Sequence, residues 1–271
     1  MSLASLLLRV TALGCVATIP ARGETPPCPD SVIKATLAEP GAKTPEISTD
    51  QLREILAARS AVLLDTRPHL EWAISHLPSA LNVAPKPGMP MSLYTSDVAE
   101  IGRLVKDDRT RALVLYCNGP FCGKSKRVSD DLLKAGYSNV RRYQLGAPVW
   151  RALGGIMIIE PDGARYVYAN DRTAVWIDAR DASEFAAGSV SGARNLPRSL
   201  VLPGKDVGEV KKAKDDGRLP MEDHNTRIIV FGKNSEQARA VAEAIALEAF
   251  HNVSAFEGSS RELTEALRAK P

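Results

Sequence analysis

The sequence carries almost no excess of charge of either sign. It has 35 lysine and arginine residues against 32 aspartate and glutamate residues, a net charge of +3 on 271 residues. Nucleic-acid-binding domains usually cluster many basic residues on one face. We therefore expect no nucleic acid among the partners of this protein.

Long apolar runs and clusters of metal ligands are also missing. After the N-terminus no segment approaches the roughly 20 apolar residues that a membrane-spanning helix needs, so we expect no stable membrane span. The histidines are not spaced as a ligand set with the cysteines; they are His69, His76, His224 and His251. No glycine-rich nucleotide-binding loop is present either. The sequence thus predicts neither a metal nor a cofactor.

The N-terminus has the pattern of an export signal. Arg9 closes a short N-terminal region, residues 10–19 form an apolar stretch, and Ala21 and Gly23 supply the small residues of a cleavage site. This pattern predicts a signal peptide over about residues 1–23. It also predicts that the mature protein is periplasmic.

Cysteine is scarce, with four residues in the chain. Cys15 would leave with the signal peptide, so the exported protein would keep Cys28, Cys117 and Cys122. An odd number of cysteines in an oxidising compartment leaves at least one thiol unpaired. Cys28 lies among prolines, in a segment (residues 24–45) whose composition predicts an extended linker.

An internal repeat organises the remaining chain. Two apolar segments end in Asp-x-Arg, and further matches follow each of them at the same offset or close to it. The matched segments are residues 62–67 with 175–180, 71–72 with 184–185, 79–82 with 192–195, and 113–116 with 228–231. With 44% apolar residues, a chain of this length can bury two ordinary cores. The simplest explanation is a duplicated domain.

Each copy alternates apolar strand patterns with helical ones. This order predicts an α/β fold of two tandem domains, each with a central parallel sheet flanked by helices. We place the first domain at residues 46–155 and the second at residues 156–271. Residues 156–169 are predicted to form a hairpin between the copies, and the polar residues 203–225 a surface insertion.

Cys117 is the strongest candidate for a catalytic residue. It follows an apolar strand pattern over residues 112–116, and a loop with Gly119 and Gly123 leads from it to a helix that begins near Lys124. Glycines let such a loop curl so that its backbone N–H groups converge. These groups and the helix dipole lower the pKa of a thiol and favour the reactive thiolate. The alternative is an inert cysteine of the core.

A small basic cluster follows the loop, formed by Lys124, Lys126 and Arg127. Positive charge beside a thiolate attracts an anionic substrate. The alternative is that these residues form the solvated face of a helix.

The motifs taken together resemble the rhodanese (sulfurtransferase) domain. The resemblance covers nearly all of residues 46–155 and rests on Asp65-x-Arg67, Glu71-Trp72, His76-Leu77-Pro78-Ser79-Ala80-x-Asn82 and the strand that ends in Cys117. It implies a tandem-domain rhodanese in which Cys117 takes a sulfane sulfur from a donor such as thiosulfate. The sulfur is then carried as a persulfide among backbone amides and passed to a thiol or cyanide. The loop residues expected to bind substrate are Asn118, Gly119, Phe121, Cys122, Gly123 and Lys124.

Two departures from the family pattern affect the prediction. The second copy has Gly232 at the nucleophile position, whereas two-domain rhodaneses are usually active in the C-terminal copy. The Cys117 loop is longer than usual and carries Cys122, which predicts a wider pocket and a different donor or larger acceptor. Cys122 could also pair with Cys117 during turnover and protect it from irreversible oxidation. The other motif residues are expected to support the fold: Asp65, Arg67, Glu71 and His76, with Asp178, Arg180 and Glu184 in the second copy.

Three functions stay open. The leading hypothesis is a periplasmic sulfurtransferase that uses Cys117, a small anionic sulfur donor and an acceptor such as a protein thiol. The second is a thiol–disulfide redox protein that uses Cys117 and Cys122. The third is a non-catalytic binding module. Phosphatase and arsenate-reductase chemistry is disfavoured, because Gly123 lies where the arginine that binds a tetrahedral oxyanion is expected.

Overall fold

A computed structural model describes residues 31–269. The predicted signal peptide, Cys28 and the first part of the predicted linker lie outside the described residues. Residues 31–269 fold into two α/β domains, each with a parallel sheet flanked by helices, which confirms the predicted fold class. Within the same range, no helix has both the length and the apolar character needed to cross a membrane.

The first domain has a four-stranded sheet in the order β2-β1-β3-β4. Its strands are β1 (Val62–Asp65), β2 (Leu81–Asn82), β3 (Leu113–Tyr116) and β4 (Val140–Tyr143). Its helices are α1 (Thr49–Ala58), α2 (His69–Ile74), α3 (Asp97–Val105), α4 (Gly123–Lys134) and α5 (Gly146–Ala152). Helices cover both faces of the sheet, so all four residues of the central strand β3 are buried.

The second domain has a five-stranded sheet in the order β5-β9-β8-β6-β7. Its strands are β5 (Met157–Ile159), β6 (Val175–Asp178), β7 (Arg194–Asn195), β8 (Ile228–Gly232) and β9 (Val253–Ser259). Its helices are α6 (Pro161–Asn170), α7 (Ala182–Ala186), α8 (Gly208–Asp215), α9 (Ser235–Ala246) and α10 (Ser260–Arg268). The central pair β6 and β8 repeats β1 and β3, as the matched segments predict.

The hairpin predicted for residues 156–169 is wrong. This segment contains β5, which pairs in parallel with β9, and the start of α6. Pro161 occupies the first turn of α6, where a proline costs no backbone hydrogen bond and its fixed φ suits a helix. The same place in the first domain is taken by Glu46, which forms a parallel bridge with Arg142, and by α1. The segment therefore belongs to the repeat.

Residues 203–225 are not a simple surface insertion either. They contain α8, which takes the place that α3 has in the first domain, between the short edge strand and the central strand. Three apolar side chains of this segment are buried in the core of the second domain, Val210, Ala213 and Leu219. Because many charged residues surround these three, the sequence did not indicate a buried apolar face in this segment.

The described part of the predicted linker packs against the first domain. Arg142 on β4 is fully buried. Its guanidinium donates to the Thr44 hydroxyl at 2.8 Å and to the Glu39 carboxylate at 3.2 Å. A buried guanidinium needs acceptors, and the segment before α1 supplies them. Residues 31–45 are therefore an ordered part of the domain surface rather than an extended linker.

The two domains are joined by backbone contacts as well as by the chain. His76 and Ile158 exchange two backbone hydrogen bonds, of 2.9 and 2.7 Å. Helix α6 approaches α2 so closely that a Cβ atom on Gly163 would lie 2.0 Å from the Ala73 carbonyl oxygen. Only glycine fits at that point of the interface.

Two histidine–carboxylate pairs cross the same interface. His69 Nε2 lies 2.9 Å from Asp162 Oδ2, and His76 Nε2 lies 3.1 Å from Glu160 Oε1. Trp72 stacks on His76 with ring centroids 4.8 Å apart. His76 is therefore directed into the domain interface, in agreement with its predicted structural role.

Candidate active site

Cys117 lies at the carboxyl edge of the first sheet, directly after the central strand β3. In parallel α/β sheets this edge is where ligands bind. The residue is 4% exposed. Its carbonyl oxygen accepts a hydrogen bond of 3.1 Å from the Ala147 N–H, which ties the start of the loop to α5.

The loop after Cys117 curls back on itself, as its glycine content predicts. Gly119 has a φ of +110°, a conformation that side chains rarely adopt, and its carbonyl accepts a 3.0 Å hydrogen bond from the Cys122 N–H. Gly146 packs beneath the loop. A Cβ atom on Gly146 would lie 2.4 Å from the Gly119 nitrogen and 2.5 Å from the Cys117 carbonyl oxygen.

Gln144 holds the far side of the loop, a role that was not predicted from the sequence. Its side-chain nitrogen donates to the Pro120 carbonyl at 3.1 Å and to the Cys122 carbonyl at 3.3 Å. Its oxygen accepts from Arg142 at 2.6 Å, which fixes the orientation of the amide. Gln144 directly follows β4 and so reaches the same sheet edge as Cys117. Its place directly after a strand pattern was the one signal in the sequence that could have identified it.

Cys117 and Cys122 are joined by a disulfide bond, with Cα atoms 6.1 Å apart. The sequence allowed for pairing of Cys122 with Cys117 during turnover, and the structure contains this pair as a disulfide. Cys122 also occupies the N-cap position of α4, where its side chain makes no capping hydrogen bond, and it is more exposed than Cys117. The bond therefore places the Cys117 sulfur against the start of that helix.

The first turn of α4 has unused backbone donors. No side chain caps it, and it contains no acidic residue. Among residues 31–269, no side chain or loop carbonyl accepts from the N–H groups of Gly123, Lys124 and Ser125. Such a helix start stabilises negative charge. It suits a thiolate or persulfide anion on Cys117.

The basic cluster after the loop is only partly available to a substrate. Lys126 binds Glu39 at 2.6 Å, and Lys124 lies 3.8 Å from Asp97. The hydrogen bond from Lys126 lowers the pKa of Glu39, so this carboxylate stays ionised and opposes the lysine charge. Arg127 is exposed. These contacts favour the alternative that the cluster is a solvated helix face. Lys124 is the member nearest the loop.

Two loop side chains face in opposite directions. Phe121 extends into solvent with its side chain fully exposed. The Asn118 amide turns toward α2 and donates to Glu71 Oε2 at 2.5 Å. Glu71 was assigned to the fold alone, yet it contacts the loop. The second domain has a parallel contact, because Lys233 lies 3.1 Å from Glu184.

The Asp-x-Arg motif supports the strand that leads to Cys117. Arg67 binds Asp65 through Nε and Nη2, at 3.0 and 2.6 Å. The Tyr116 hydroxyl donates to Asp65 at 2.5 Å and accepts from the Leu77 N–H at 3.1 Å. Burial and the charge of Asp65 raise the pKa of Tyr116 well above its usual value, so the hydroxyl stays protonated. The predicted structural role of Asp65 and Arg67 agrees with this geometry.

The corresponding place in the second domain is closed. Gly232 has no side chain, and a Cβ atom there would lie 2.6 Å from Gln237 Oε1. That oxygen accepts from the Lys233 N–H at 2.8 Å, and Asn234 caps α9 by accepting from the Gln237 N–H at 3.0 Å. The donors that are unused in α4 are therefore partly satisfied in α9. The second domain has neither the thiol nor the open helix start.

Comparison with known proteins identifies the family. The sequence pattern of the Rhodanese-like domain matches residues 48–153 and again residues 166–266. The chain belongs to the rhodanese-like domain family. The predicted tandem rhodanese arrangement is confirmed, and membership supports sulfur transfer as the general class of chemistry.

Individual relatives are distant. The chain is 29% identical over 73 residues to the tRNA uridine(34) hydroxylase of Buchnera aphidicola, which is 27% of this chain and 22% of the relative. It is 23% identical over 106 residues to the hydroxylase of that name from Photorhabdus laumondii, 39% of this chain and 28% of the relative. The chain thus spans about a quarter of the length of these relatives.

The solved structures that match the chain are distant as well. Thiosulfate sulfurtransferase from Pseudomonas aeruginosa is 22% identical, with a TM-score of 0.34, over 82% of this chain and 42% of that one. Wild-type EanB is 18% identical, with a TM-score of 0.36, over 84% of this chain and 62% of that one. The assignment of the family rests on the two domain matches rather than on these structures.

Proposed function

We propose that this rhodanese-like protein is a sulfurtransferase that carries sulfane sulfur as a persulfide on Cys117. The donor is thiosulfate or a similar small anion, and the acceptor is a thiol, including a protein thiol, or cyanide. The observation that carries the proposal is the position of Cys117, at the end of the central strand and against the uncapped start of α4.

The chemistry needs a thiolate and a place for the anions that form from it. In the reduced protein the Cys117 thiolate attacks the outer sulfur of thiosulfate, a sulfur–sulfur bond forms, and sulfite leaves with the electron pair of the broken bond. The persulfide is anionic. Backbone N–H groups of Gly123, Lys124 and Ser125 are the donors that suit it. An acceptor nucleophile then takes the outer sulfur and restores the thiolate.

The disulfide favours a second candidate function, a thiol–disulfide redox protein. Cys117 and Cys122 are already paired, and exchange with an external thiol would need no large movement of the loop. Such a protein would pass electrons and carry no sulfur. The two candidates differ in whether Cys117 gains a sulfur atom.

The proposed location is the periplasm. Support comes from the apolar stretch over residues 10–19 and from the small residues at Ala21 and Gly23. N-terminal sequencing of the protein from the periplasmic fraction tests this. A mature N-terminus near residue 24 supports export, and an N-terminus at Met1 contradicts it.

Thiocyanate formation tests the enzymatic proposal. The reduced protein is mixed with thiosulfate and cyanide, and thiocyanate is measured over time. We expect turnover by the wild type and by Cys28→Ser, and none by Cys117→Ser. Cys117 is the cysteine that follows the central strand at the carboxyl edge of the first sheet. Equal rates for the wild type and Cys117→Ser would contradict the proposal. Dithiol oxidation with neither sulfite release nor thiocyanate formation would instead support the redox function.

A further inference from the structure

We propose that Cys122 resolves the Cys117 persulfide within the loop, so that the protein releases the carried sulfur as hydrosulfide and is left in its disulfide form. This activity rests on the proposed function, since it needs the persulfide first. It predicts a reductive fate for the sulfur in addition to transfer to an acceptor. The disulfide between Cys117 and Cys122 is the observation that points to it.

The geometry brings the two sulfur atoms together without unfolding. The loop between the cysteines is fixed on both sides, by Gly146 beneath Gly119 and by Gln144 on the carbonyl groups of Pro120 and Cys122. None of these contacts involves a cysteine side chain. Reduction of the disulfide therefore leaves the backbone restrained, and Cys122 stays within reach of the Cys117 sulfur.

The step is a thiol–disulfide exchange on the inner sulfur of the persulfide. The Cys122 thiolate attacks Cys117 Sγ, and a bond forms between the two Sγ atoms. The bond from Cys117 Sγ to the outer sulfur breaks, and that sulfur leaves as hydrosulfide with the electron pair. The proton lost by Cys122 passes, directly or through water, to the departing sulfur, which therefore leaves as hydrosulfide. No oxidant is needed, because the persulfide sulfur is itself reduced as the two cysteines are oxidised.

Return to the thiol form needs two electrons, which a dithiol supplies. Cys117 is 4% exposed, whereas Cys122 is partly exposed, so an incoming thiolate reaches the Cys122 sulfur first. The Cys117 thiolate is then the leaving group, and the free N–H groups at the start of α4 stabilise it. Over a full cycle with thiosulfate, the products are sulfite, hydrosulfide and the oxidised dithiol.

The adjacent surface fits a protein dithiol. Phe121 immediately precedes the partly exposed Cys122 and is itself fully exposed. An aromatic ring at this position gives a partner protein an apolar contact beside the sulfur that it attacks. A small thiol has little to gain from such a contact. Phe121 is therefore assigned to recognition of the partner and not to the persulfide step.

A single turnover tests the resolving step. The protein is used with Cys15 and Cys28 replaced by serine, so that Cys117 and Cys122 are the remaining cysteines. It is reduced, freed of reductant under anaerobic conditions and mixed with thiosulfate. Sulfite, hydrosulfide and the intact mass are then measured. The same mixture without thiosulfate controls for oxidation by traces of oxygen.

The expected results separate the steps. The protein with both loop cysteines releases one sulfite and one hydrosulfide per chain and becomes two hydrogens lighter. With Cys122→Ser it releases one sulfite, no hydrosulfide, and becomes one sulfur heavier. A persulfide that is equally stable with and without Cys122 would overturn the resolving role while leaving the proposed function intact. Absence of sulfite release from both proteins would instead overturn the proposed function.

The role of Phe121 is tested on the reduction of the disulfide form alone, without thiosulfate. The disulfide form is reduced either by dithiothreitol or by a small dithiol protein of the thioredoxin type, used as a probe. We expect Phe121→Ala to slow reduction by the protein at least severalfold more than it slows reduction by dithiothreitol. Equal slowing with both reductants would contradict partner recognition by this side chain.

Discussion

Asn118 in the Cys117 loop donates its side-chain amide to Glu71 on helix α2, at 2.5 Å. The second domain keeps the link in another form, as the ion pair of Lys233 with Glu184. The contact is present in the second domain although Gly232 stands there in place of a cysteine. We therefore expect it to serve the geometry of the segment after the central strand, which in the first domain is the Cys117 loop.

Glu71→Ala tests this positioning role. The side chain is exposed, so we expect little change in the free energy of unfolding, within about 0.5 kcal/mol. The rate of persulfide formation on reduced protein should fall severalfold, because Asn118 no longer fixes the loop. Glu184→Ala is the matched control and should not change that rate. An unchanged rate in Glu71→Ala would show that the contact is incidental.

Gly146 is predicted to be irreplaceable beneath the loop. Alanine there combines a φ of +69° with contacts of 2.4 and 2.5 Å to the loop backbone, so the loop must shift. We expect Gly146→Ala to destabilise the fold by about 2–4 kcal/mol and to abolish pairing of Cys117 with Cys122. Denaturant unfolding and thiol counting measure both effects.

Gly154 provides the control for that prediction. Its φ is +79°, but a Cβ atom there meets nothing within 4 Å. Gly154→Ala should therefore cost only the conformational strain, about 1–2 kcal/mol, and leave the disulfide intact. Equal costs for the two alanine variants would contradict the steric argument for Gly146.

Tyr116→Phe is expected to destabilise the first domain. It removes a buried donor from Asp65 and a buried acceptor from the Leu77 N–H, at a cost of about 1–3 kcal/mol. Urea unfolding of the variant beside Tyr166→Phe, whose ring lies on the surface, measures the difference. A cost as small as that of the surface variant would mean that the hydroxyl contributes nothing.

The second domain shows how that hydroxyl is replaced. Phe231 occupies the position of Tyr116, and the Ser189 hydroxyl donates to Asp178 instead, at 2.6 Å. Each domain thus gives its buried aspartate an arginine and one hydroxyl donor. The hydroxyl donor comes from the central strand in the first domain and from the segment after α7 in the second. Aligning the strands of the two copies therefore does not identify it.

Acid should release the segment before α1 from the first domain. The hydrogen bond from Lys126, followed by the bond from Arg142, holds the pKa of Glu39 below its usual value of 4.5. The stability this carboxylate contributes is present above about pH 4.5. It is lost as the pH falls through the lower pKa of the folded state.

Glu39→Gln separates this effect from general acid unfolding. The variant should be less stable than the wild type at pH 7, and the difference should shrink as the pH is lowered toward 3, because the wild-type carboxylate is then protonated. Urea unfolding at both pH values measures it. A difference that grows on acidification would contradict the assignment.

Much of the fold and the centre of the site could be predicted from local pattern. The Asp-x-Arg repeat at Asp65 and Asp178 predicted two copies, because a duplicated domain repeats its strands. The capping pair of Ser48 and Gln51 marks the start of α1. Cys117 could be placed at a sheet edge, because it ends an apolar run and precedes a glycine loop.

The remaining features depend on packing between distant segments. Residues 161–163 have the composition of a turn, whereas in the structure they form the first turn of α6 and pack against α2. Gln144 reaches the loop from the end of a neighbouring strand and Glu71 from a helix, and neither contact can be predicted from the residues around it in the sequence. The partners of Arg142 lie about a hundred residues earlier, so the segment that supplies them was taken for a linker.

The central claim is that Cys117 carries a persulfide, and trapping that persulfide tests it most directly. Reduced Cys122→Ser protein is treated with thiosulfate, alkylated at once and digested, and the peptide containing Cys117 is weighed. The account predicts an alkylated Cys117 peptide that is one sulfur atom heavier than in untreated protein, with the extra sulfur absent when the protein is treated with cyanide before alkylation. A Cys117 peptide of unchanged mass, in protein whose thiol remains free to alkylate, would contradict it.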